Sequence, residues 1–171
     1  MTNIFIWYDY CCGLNSSKVK CFCWCYTSYT VKKYDSLQLP VKDIWGVLMK
    51  SNDPLAEKTS ILPEDLWDKP LMLSQEQSDG GPLTQWIKKS LDSLNISVAY
   101  NLLFNASLFV EEGLGYAVCF DRIINTSGNS PLTFRPLNPP LQVEMYLIWK
   151  KYQVFSKPAE KFLDALKADI L

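Results

Sequence analysis

Short apolar runs alternate with segments of helical periodicity along most of this 171-residue chain. Strands are predicted over residues 43–49, 70–73, 96–100, 116–120 and 141–150. Helices are predicted between them over 63–66, 82–94 and 102–112, and a last helix is expected to begin after Ser156. This order favours an α/β fold with a mostly parallel sheet flanked by helices, because parallel strands need crossover connections.

The two central helices carry distinct apolar faces. In the first, one side of a 3.6-residue period is formed by Leu83, Trp86, Ile87, Leu91 and Leu94. In the second, the residues expected to face inward are Leu102, Leu103, Ala106, Phe109 and Val110. Gly113 follows the second helix at the position of a left-handed C-cap.

Composition excludes several classes of function. The chain contains no histidine, so a Ser-His-Asp triad, a Cys-His pair and a His-ligated metal are excluded. The net charge is -1, which argues against a polybasic nucleic-acid surface. Gly113 and Gly115 lead into a predicted strand, unlike a phosphate-binding loop, which opens a helix. We therefore expect no enzymatic activity, no metal and no cofactor.

Residues 1–33 differ from the rest of the chain. They hold five of the six cysteines, namely Cys11, Cys12, Cys21, Cys23 and Cys25. Zinc sites usually space their cysteines as C-x2-4-C, whereas residues 21–25 read C-x-C-x-C. The interpretation is an atypical Cys-rich leader, either a poorly packed segment or a non-native one read from a shifted frame or alternative start.

No uninterrupted apolar run reaches the length of a transmembrane helix. The apolar N-terminus also lacks the basic region of a secretory signal, and Asp9 interrupts it. These observations predict a cytoplasmic protein without a membrane partner.

Several short sequence fragments from Tyr34 onward resemble those of a known family, and they occur in the same order along the chain. They lie at residues 34–35, 39–43, 45–49, 53–56, 63–66, 100–106, 110–117 and 148–151. The most specific are Tyr-Asn-Leu-Leu-Phe-Asn-Ala at 100–106 and Val-Glu-Glu-Gly-Leu-Gly-Tyr-Ala at 110–117. In their order and spacing, residues 34–171 resemble the effector-binding domain of LysR-type transcriptional regulators.

The resemblance implies a periplasmic-binding-protein-like (type II) fold, whose two α/β lobes close on a small effector. It assigns residues 34–137 to lobe II with the hinge, and residues 138–171 to the returning strand and helix of lobe I. The opening units of lobe I have no counterpart in these residues. The second lobe is therefore expected to be incomplete.

Candidate site residues follow from sheet geometry and from the resemblance together. Ligands of open α/β sheets bind outside the carboxyl ends of the strands. The resemblance places effector contacts there, at Ser74, Gln75, Tyr100, Asn101, Leu102, Phe120 and Asp121. Backbone amides after Asn101 could receive an anion. Two alternatives remain open: Asn101 and Asn105 could cap the helix start, and Asp121 could cap a turn.

The function that the resemblance implies is an effector-binding regulatory domain that senses a small metabolite and controls transcription in the intact protein. Its implied partners are a small organic anion and further copies of the same chain. DNA is expected as a partner only through a helix-turn-helix domain, which these residues lack. A solute-binding module of the same architecture and a non-functional gene fragment remain the alternatives.

Overall fold

The computed structural model describes residues 23–25 and 34–170, so the prediction of a Cys-rich leader lies almost wholly outside the described residues. The seven strands that it describes are β1 (Cys23–Cys25), β2 (Tyr34–Lys50), β3 (Leu71–Ser74), β4 (Ile96–Tyr100), β5 (Tyr116–Phe120), β6 (Leu132–Pro136) and β7 (Gln142–Lys150). The α-helices are α1 (Pro82–Ile87), α2 (Leu103–Glu111) and α3 (Lys157–Ile170). Short 3-10 helices cover Pro54–Glu57, Pro63–Leu66 and Leu91–Ser93. No helix of the described part of the chain is long and apolar enough to cross a membrane.

The chain divides into two compact units. One comprises residues 43–142, and the other combines residues up to 42 with residues 143 onward. Strand β2 contributes to both, because the division falls between Lys42 and Asp43. The predicted boundaries at residues 33 and 137 stay predictions.

In the 43–142 unit, the sheet combines parallel and antiparallel pairs. Strand β3 pairs in parallel with both β4 and β5. Strand β2 pairs antiparallel with β5 on one edge and with β6 on the other. The predicted α/β class is confirmed. Strands β3, β4 and β5 pair in parallel, with one further parallel bridge between Ile61 and Leu137, whereas β2 pairs antiparallel with both β5 and β6.

Helix α2 covers one face of this sheet. Its buried side chains are Leu103, Ala106, Ser107 and Val110, and the core also contains Leu48, Met72, Ala117, Cys119 and Leu132. The prediction that Phe109 faces inward is wrong, because 43% of its surface is exposed. The buried positions follow i, i+3, i+4 and i+7 spacing, and Phe109 lies outside that face. Gly113 adopts a φ of 78°, which confirms the predicted left-handed C-cap.

The helix predicted over residues 82–94 ends earlier than expected. Helix α1 stops at Ile87, since Lys88 takes a left-handed conformation with a φ of 58°. The indole of Trp67 donates to the Ile87 carbonyl oxygen at 3.1 Å, which satisfies one of the carbonyls freed at the helix end. The 3-10 helix Leu91–Ser93 then continues the chain and buries Leu94, so the apolar stripe reaches the core without one continuous helix.

In the other unit, β7 pairs antiparallel with β1, in the register that places Cys23 opposite Ile148. Strand β7 and helix α3 correspond to the strand and helix predicted at the end of the chain. Leu163 is the buried anchor of α3. The Glu160 amide donates to the Ser156 carbonyl oxygen at 2.9 Å, so the helical hydrogen bonding begins at Ser156 as predicted.

Gly46 is expected to be intolerant of any side chain. A Cβ atom there would lie 2.5 Å from the Arg135 carbonyl oxygen and would overlap the Phe134 ring. We predict that Gly46→Ala lowers the free energy of unfolding by about 2 kcal/mol or more, measured by urea denaturation. Exposed Thr59 supplies the control, and Thr59→Ala should leave stability near wild type. Equal stability of both variants would contradict the close approach of β6 to β2.

Candidate functional site

The predicted site residues of β3 and β4 meet at one edge of the sheet. Ser74 is the register partner of Tyr100 in the parallel pair. The Gln75 amide donates to the Tyr100 carbonyl oxygen at 2.9 Å, which extends this pairing past the end of β3. Asn101 and Leu102 follow directly and lead into α2. The structure therefore brings five of the predicted residues together at the carboxyl ends of adjacent parallel strands.

Ser74 and Gln75 retain hydrogen-bonding capacity. Among the described residues, the Ser74 hydroxyl oxygen accepts only a long hydrogen bond, from the Glu76 amide at 3.4 Å. The Gln75 side-chain amide donates to the Ala99 carbonyl oxygen at 3.5 Å. Both distances lie beyond the usual range of strong hydrogen bonds. A ligand could therefore replace either contact at little energetic cost.

The start of α2 presents unsatisfied polar groups. Leu102 is the extended N-cap residue, and its apolar side chain provides no cap hydrogen bond. Asn101 is exposed, and its side chain makes no hydrogen bond to any described residue. The alternative that an asparagine side chain caps this helix is therefore wrong. The Asn105 amide donates to the Leu102 carbonyl oxygen at 3.1 Å. The Leu103 and Phe104 amides make no hydrogen bond to a described residue and can bind an anion, which the helix dipole also favours.

Tyr100 points into the unit rather than out of it. Its hydroxyl donates to the Val118 carbonyl oxygen at 2.8 Å. Burial raises the pKa of Tyr100 well above its ordinary value, and neighbouring Cys119 adds to the effect. Burial likewise raises the pKa of Cys119 to about 12, so this thiol stays neutral and packs as a small apolar group. Tyr100 thus joins β4 to β5 at the site.

Phe120 and Asp121 end β5 and join it to the start of the unit. The Phe120 ring lies 4.4 Å from the Trp45 ring, in a tilted arrangement. The Ile44 amide donates to Asp121 Oδ1 at 2.9 Å, while the Asp121 amide donates to the Ile44 carbonyl oxygen at 2.9 Å. Asp121 therefore fastens β5 to β2, which goes beyond the predicted alternative of a local turn cap.

Three further residues near this edge are not among the predicted site residues: Asp43, Trp45 and Arg122. Arg122 takes a left-handed conformation and pairs with Asp121 at 2.8 Å and with Asp43 at 3.8 Å. Burial raises the pKa of Asp43, the Asp121 carboxylate adds to the rise, and Arg122 opposes it. The Trp45 indole nitrogen is buried without a hydrogen-bond partner in the described structure. No local pattern marks these residues, because β2 and β5 lie far apart in sequence.

The described residues contain no group of three or more Cys, Asp or Glu side chains arranged to hold a metal ion. The polar side chains of Ser74, Gln75 and Asn101 at this edge are one hydroxyl and two amides. Such groups recognise the oxygens of a small organic ligand by hydrogen bonding.

A family model described as LysR substrate binding domain matches residues 38–170. The sequence matches none of the curated proteins significantly.

Solved structures share the fold. The regulatory domain of Synechocystis PCC6803 CcmR, in complex with 2-PG, has a TM-score of 0.70 and 15% identity, over 87% of this chain and 73% of that one. HinK, a LysR family transcriptional regulator from Pseudomonas aeruginosa, has a TM-score of 0.68 and 16% identity, over 86% of this chain. The chain spans about half of HinK, 52% of its length. The reduced OxyR regulatory domain from Pseudomonas aeruginosa has a TM-score of 0.62 and 20% identity, over 89% of this chain and 70% of that one.

Removing the Tyr100 hydroxyl should destabilise the fold at the edge of the sheet that carries the candidate site. We predict that Tyr100→Phe lowers the free energy of unfolding by about 1–2 kcal/mol, because the hydroxyl loses its bond to Val118 in a buried environment. Tyr152, which is 96% exposed, provides the matched control, and Tyr152→Phe should be neutral. Urea denaturation of both variants measures the difference. An unaffected Tyr100→Phe variant would refute the bracing role.

Proposed function

The chain belongs to the LysR substrate-binding domain family, and from this membership we propose that its 43–142 unit binds a small-molecule effector at the carboxyl edge of β3, β4 and β5. Domains of this family are the effector-binding domains of LysR-type transcriptional regulators. The observation that carries the proposal is the convergence of Ser74, Gln75 and Asn101 at that edge, where the Ser74 and Gln75 side chains make only long hydrogen bonds.

The seven candidate residues divide between contact and support in this proposal. Ser74, Gln75 and Asn101 offer side chains to the effector, and Leu102 offers the start of α2. Tyr100, Phe120 and Asp121 shape the site by holding strand ends together, since their polar groups or rings already contact Val118, Trp45 and Ile44. An effector would thus meet preorganised donors on a braced sheet edge.

We propose a small organic anion as the effector. The first-turn amides of α2 and the amide donors of Gln75 and Asn101 suit carboxylate or phosphate oxygens. Asp121 is the acid among the seven candidate residues, but Arg122 and the Ile44 amide already engage both of its oxygens. Its charge therefore opposes an anion only weakly. The structurally similar regulatory domain of CcmR was solved in complex with 2-PG, which makes 2-PG a suitable first probe.

In the regulator, effector binding is proposed to shift a population of domain arrangements. Only interactions that differ between two arrangements can move such an equilibrium. The control of transcription and the recognition of DNA are proposed for the whole regulator, with DNA contacted by a domain outside these residues. We propose no catalytic turnover and, from the role of the family, a cytoplasmic location.

The outer face of α2 supports self-association. Its exposed apolar residues are Phe104 (65% exposed), Leu108 (51%) and Phe109 (43%), and Leu114 (55%) follows the helix. Phe104 and Leu108 are one helical turn apart and form a continuous strip. Contiguous apolar surface of this kind marks interaction sites in folded proteins. We propose that a second copy of the chain covers it in a two-fold symmetric dimer.

Effector binding is testable by NMR with 2-PG, acetate and succinate as probes. We predict saturable shifts of the Ser74, Gln75 and Asn101 amide resonances with at least one probe. Asn101→Ala should weaken that probe's affinity about tenfold, through the loss of a hydrogen bond to a charged group. Exposed Asn129 supplies the matched control, since Asn129→Ala should bind as wild type does.

Failure of all three probes to shift this edge would contradict the anion proposal. The chain covers 73% of the CcmR regulatory domain, so contacts from the unmatched quarter are not supplied by these residues. Affinity for 2-PG is therefore expected to be lower than that of the CcmR domain measured in parallel. Equal affinity of the two proteins for 2-PG would refute the prediction that the second lobe is incomplete.

Self-association is testable by sedimentation velocity over a concentration series. We predict that Leu108→Lys raises the dimer dissociation constant by about tenfold or more, because a charge would be placed in an apolar interface. Ile123, which is also exposed and lies outside α2, supplies the control variant Ile123→Lys. A wild-type chain that stays monomeric throughout, or equal effects of both variants, would refute the assigned face.

A further inference from the structure

A second cleft lies at the other end of the same parallel strands. It has a volume of about 360 Å³ and is lined by Lys50, Asp53, Asp68, Lys69, Pro70, Gly113, Gly115 and Tyr116. Pro70 and Tyr116 stand at the amino ends of β3 and β5, whereas the proposed effector residues follow the carboxyl ends. The two sites share no residue, so this cleft is independent of the proposed effector site.

The polar groups of the cleft are not all available to a ligand. Asp53 Oδ1 accepts from the Leu55 amide at 2.8 Å, and Oδ2 accepts from the Tyr116 hydroxyl at 2.8 Å. Burial, followed by the hydrogen bond to Asp53, raises the pKa of Tyr116 to about 12. Tyr116 is therefore a neutral phenol whose proton points to Asp53. Its oxygen retains the capacity to accept a further hydrogen bond.

Asp68 is only loosely held. Its Oδ1 lies 3.9 Å from Lys69 Nζ, and its side chain is 81% exposed. An ion pair of that length and exposure contributes little to stability. The Asp68 carboxylate can therefore exchange Lys69 for the ammonium group of a ligand.

Lys50 supplies the opposite charge. It ends β2, and its Cδ and Nζ lie 3.6 and 4.0 Å from the position that a Cβ atom on Gly113 would occupy. Within the described residues, the Lys50 ammonium has no ion pair and no side-chain hydrogen bond. The cleft thus offers one unpaired cation together with one loosely paired carboxylate.

We propose that this cleft binds a small zwitterion such as an α-amino acid, whose carboxylate pairs with Lys50 and whose ammonium pairs with Asp68 and the Tyr116 oxygen. Two lysines and two aspartates give the lining no net charge. A simple anion would pair with Lys50 but leave Asp68 with only its long contact to Lys69, and a simple cation would leave Lys50 unmatched. A ligand that carries both charges satisfies both residues.

NMR titration of the full 171-residue chain with glycine, acetate and methylammonium tests this assignment. Glycine is expected to shift the Gly113 and Gly115 amide resonances saturably, with an affinity about tenfold or more above that of either single-charge probe. Acetate or methylammonium that shifts the Gly113 and Gly115 resonances with the same affinity as glycine would overturn the proposal. So would the absence of any glycine-dependent shift in these two resonances.

Two substitutions separate the charges. Lys50→Met and Asp68→Asn are each expected to weaken glycine binding about tenfold, while the exposed control Lys161→Met leaves it unchanged. Asp68→Asn is expected to fold normally, because this side chain is largely exposed. An unchanged melting temperature of the variant would verify its fold. Wild-type glycine affinity in either cleft variant would refute the assignment. Asn101→Ala is expected to bind glycine normally, which separates this proposal from the effector proposal.

Discussion

The pairing of β2 on both of its edges is the constraint on which the 43–142 unit depends. Residues 45–48 pair with β5, and residues 46–50 pair with β6. Because β5 in turn pairs with β3, this one strand fixes the position of the parallel strands that end at the candidate site. The absence of a side chain at Gly46 lets Phe134 and Arg135 approach β2 closely. Arg135 donates to the Ala56 and Lys58 carbonyl oxygens and so links β6 to the 3-10 helix Pro54–Glu57, which follows β2 in the chain.

The candidate effector edge combines rigid support with unused polar groups. The Tyr100 hydroxyl donates to the Val118 carbonyl oxygen of β5, across the intervening strand β3, and Asp121 accepts from the Ile44 amide of the adjacent strand β2. Ser74, Gln75 and Asn101 retain polar groups that can bind a ligand. Supporting residues and contacting residues alternate along the same edge, so a ligand would bind without reorganising the sheet. The cleft at the opposite edge likewise combines supporting and ligand-binding residues. Asp53 accepts the hydrogen bond that holds Tyr116 in place, while Lys50 and Asp68 can pair with a ligand.

Local patterns predicted several elements with accuracy and failed where distant residues intervene. Strands β4 and β5 and the left-handed Gly113 were all predicted, because alternation, apolar runs and glycine position depend on near neighbours. The helix expected over 82–94 stops at Ile87, where Trp67, twenty residues earlier, donates to its carbonyl oxygen. Phe109 was expected inside, yet the buried face of α2 is set by the sheet beneath it.

The sequence by itself determined the α/β class, the resemblance to LysR effector-binding domains and the strand ends that carry the candidate site residues. These follow from hydrophobic periodicity and from motifs that neighbouring residues define. Only the tertiary structure decided that β2 enters antiparallel, that Tyr100 points inward and that Asp121 fastens β5 to Ile44. It also decided that Lys50 and Asp68 share a cleft. Strand register and sheet order bring these groups together across long sequence separations, and no local propensity encodes that information.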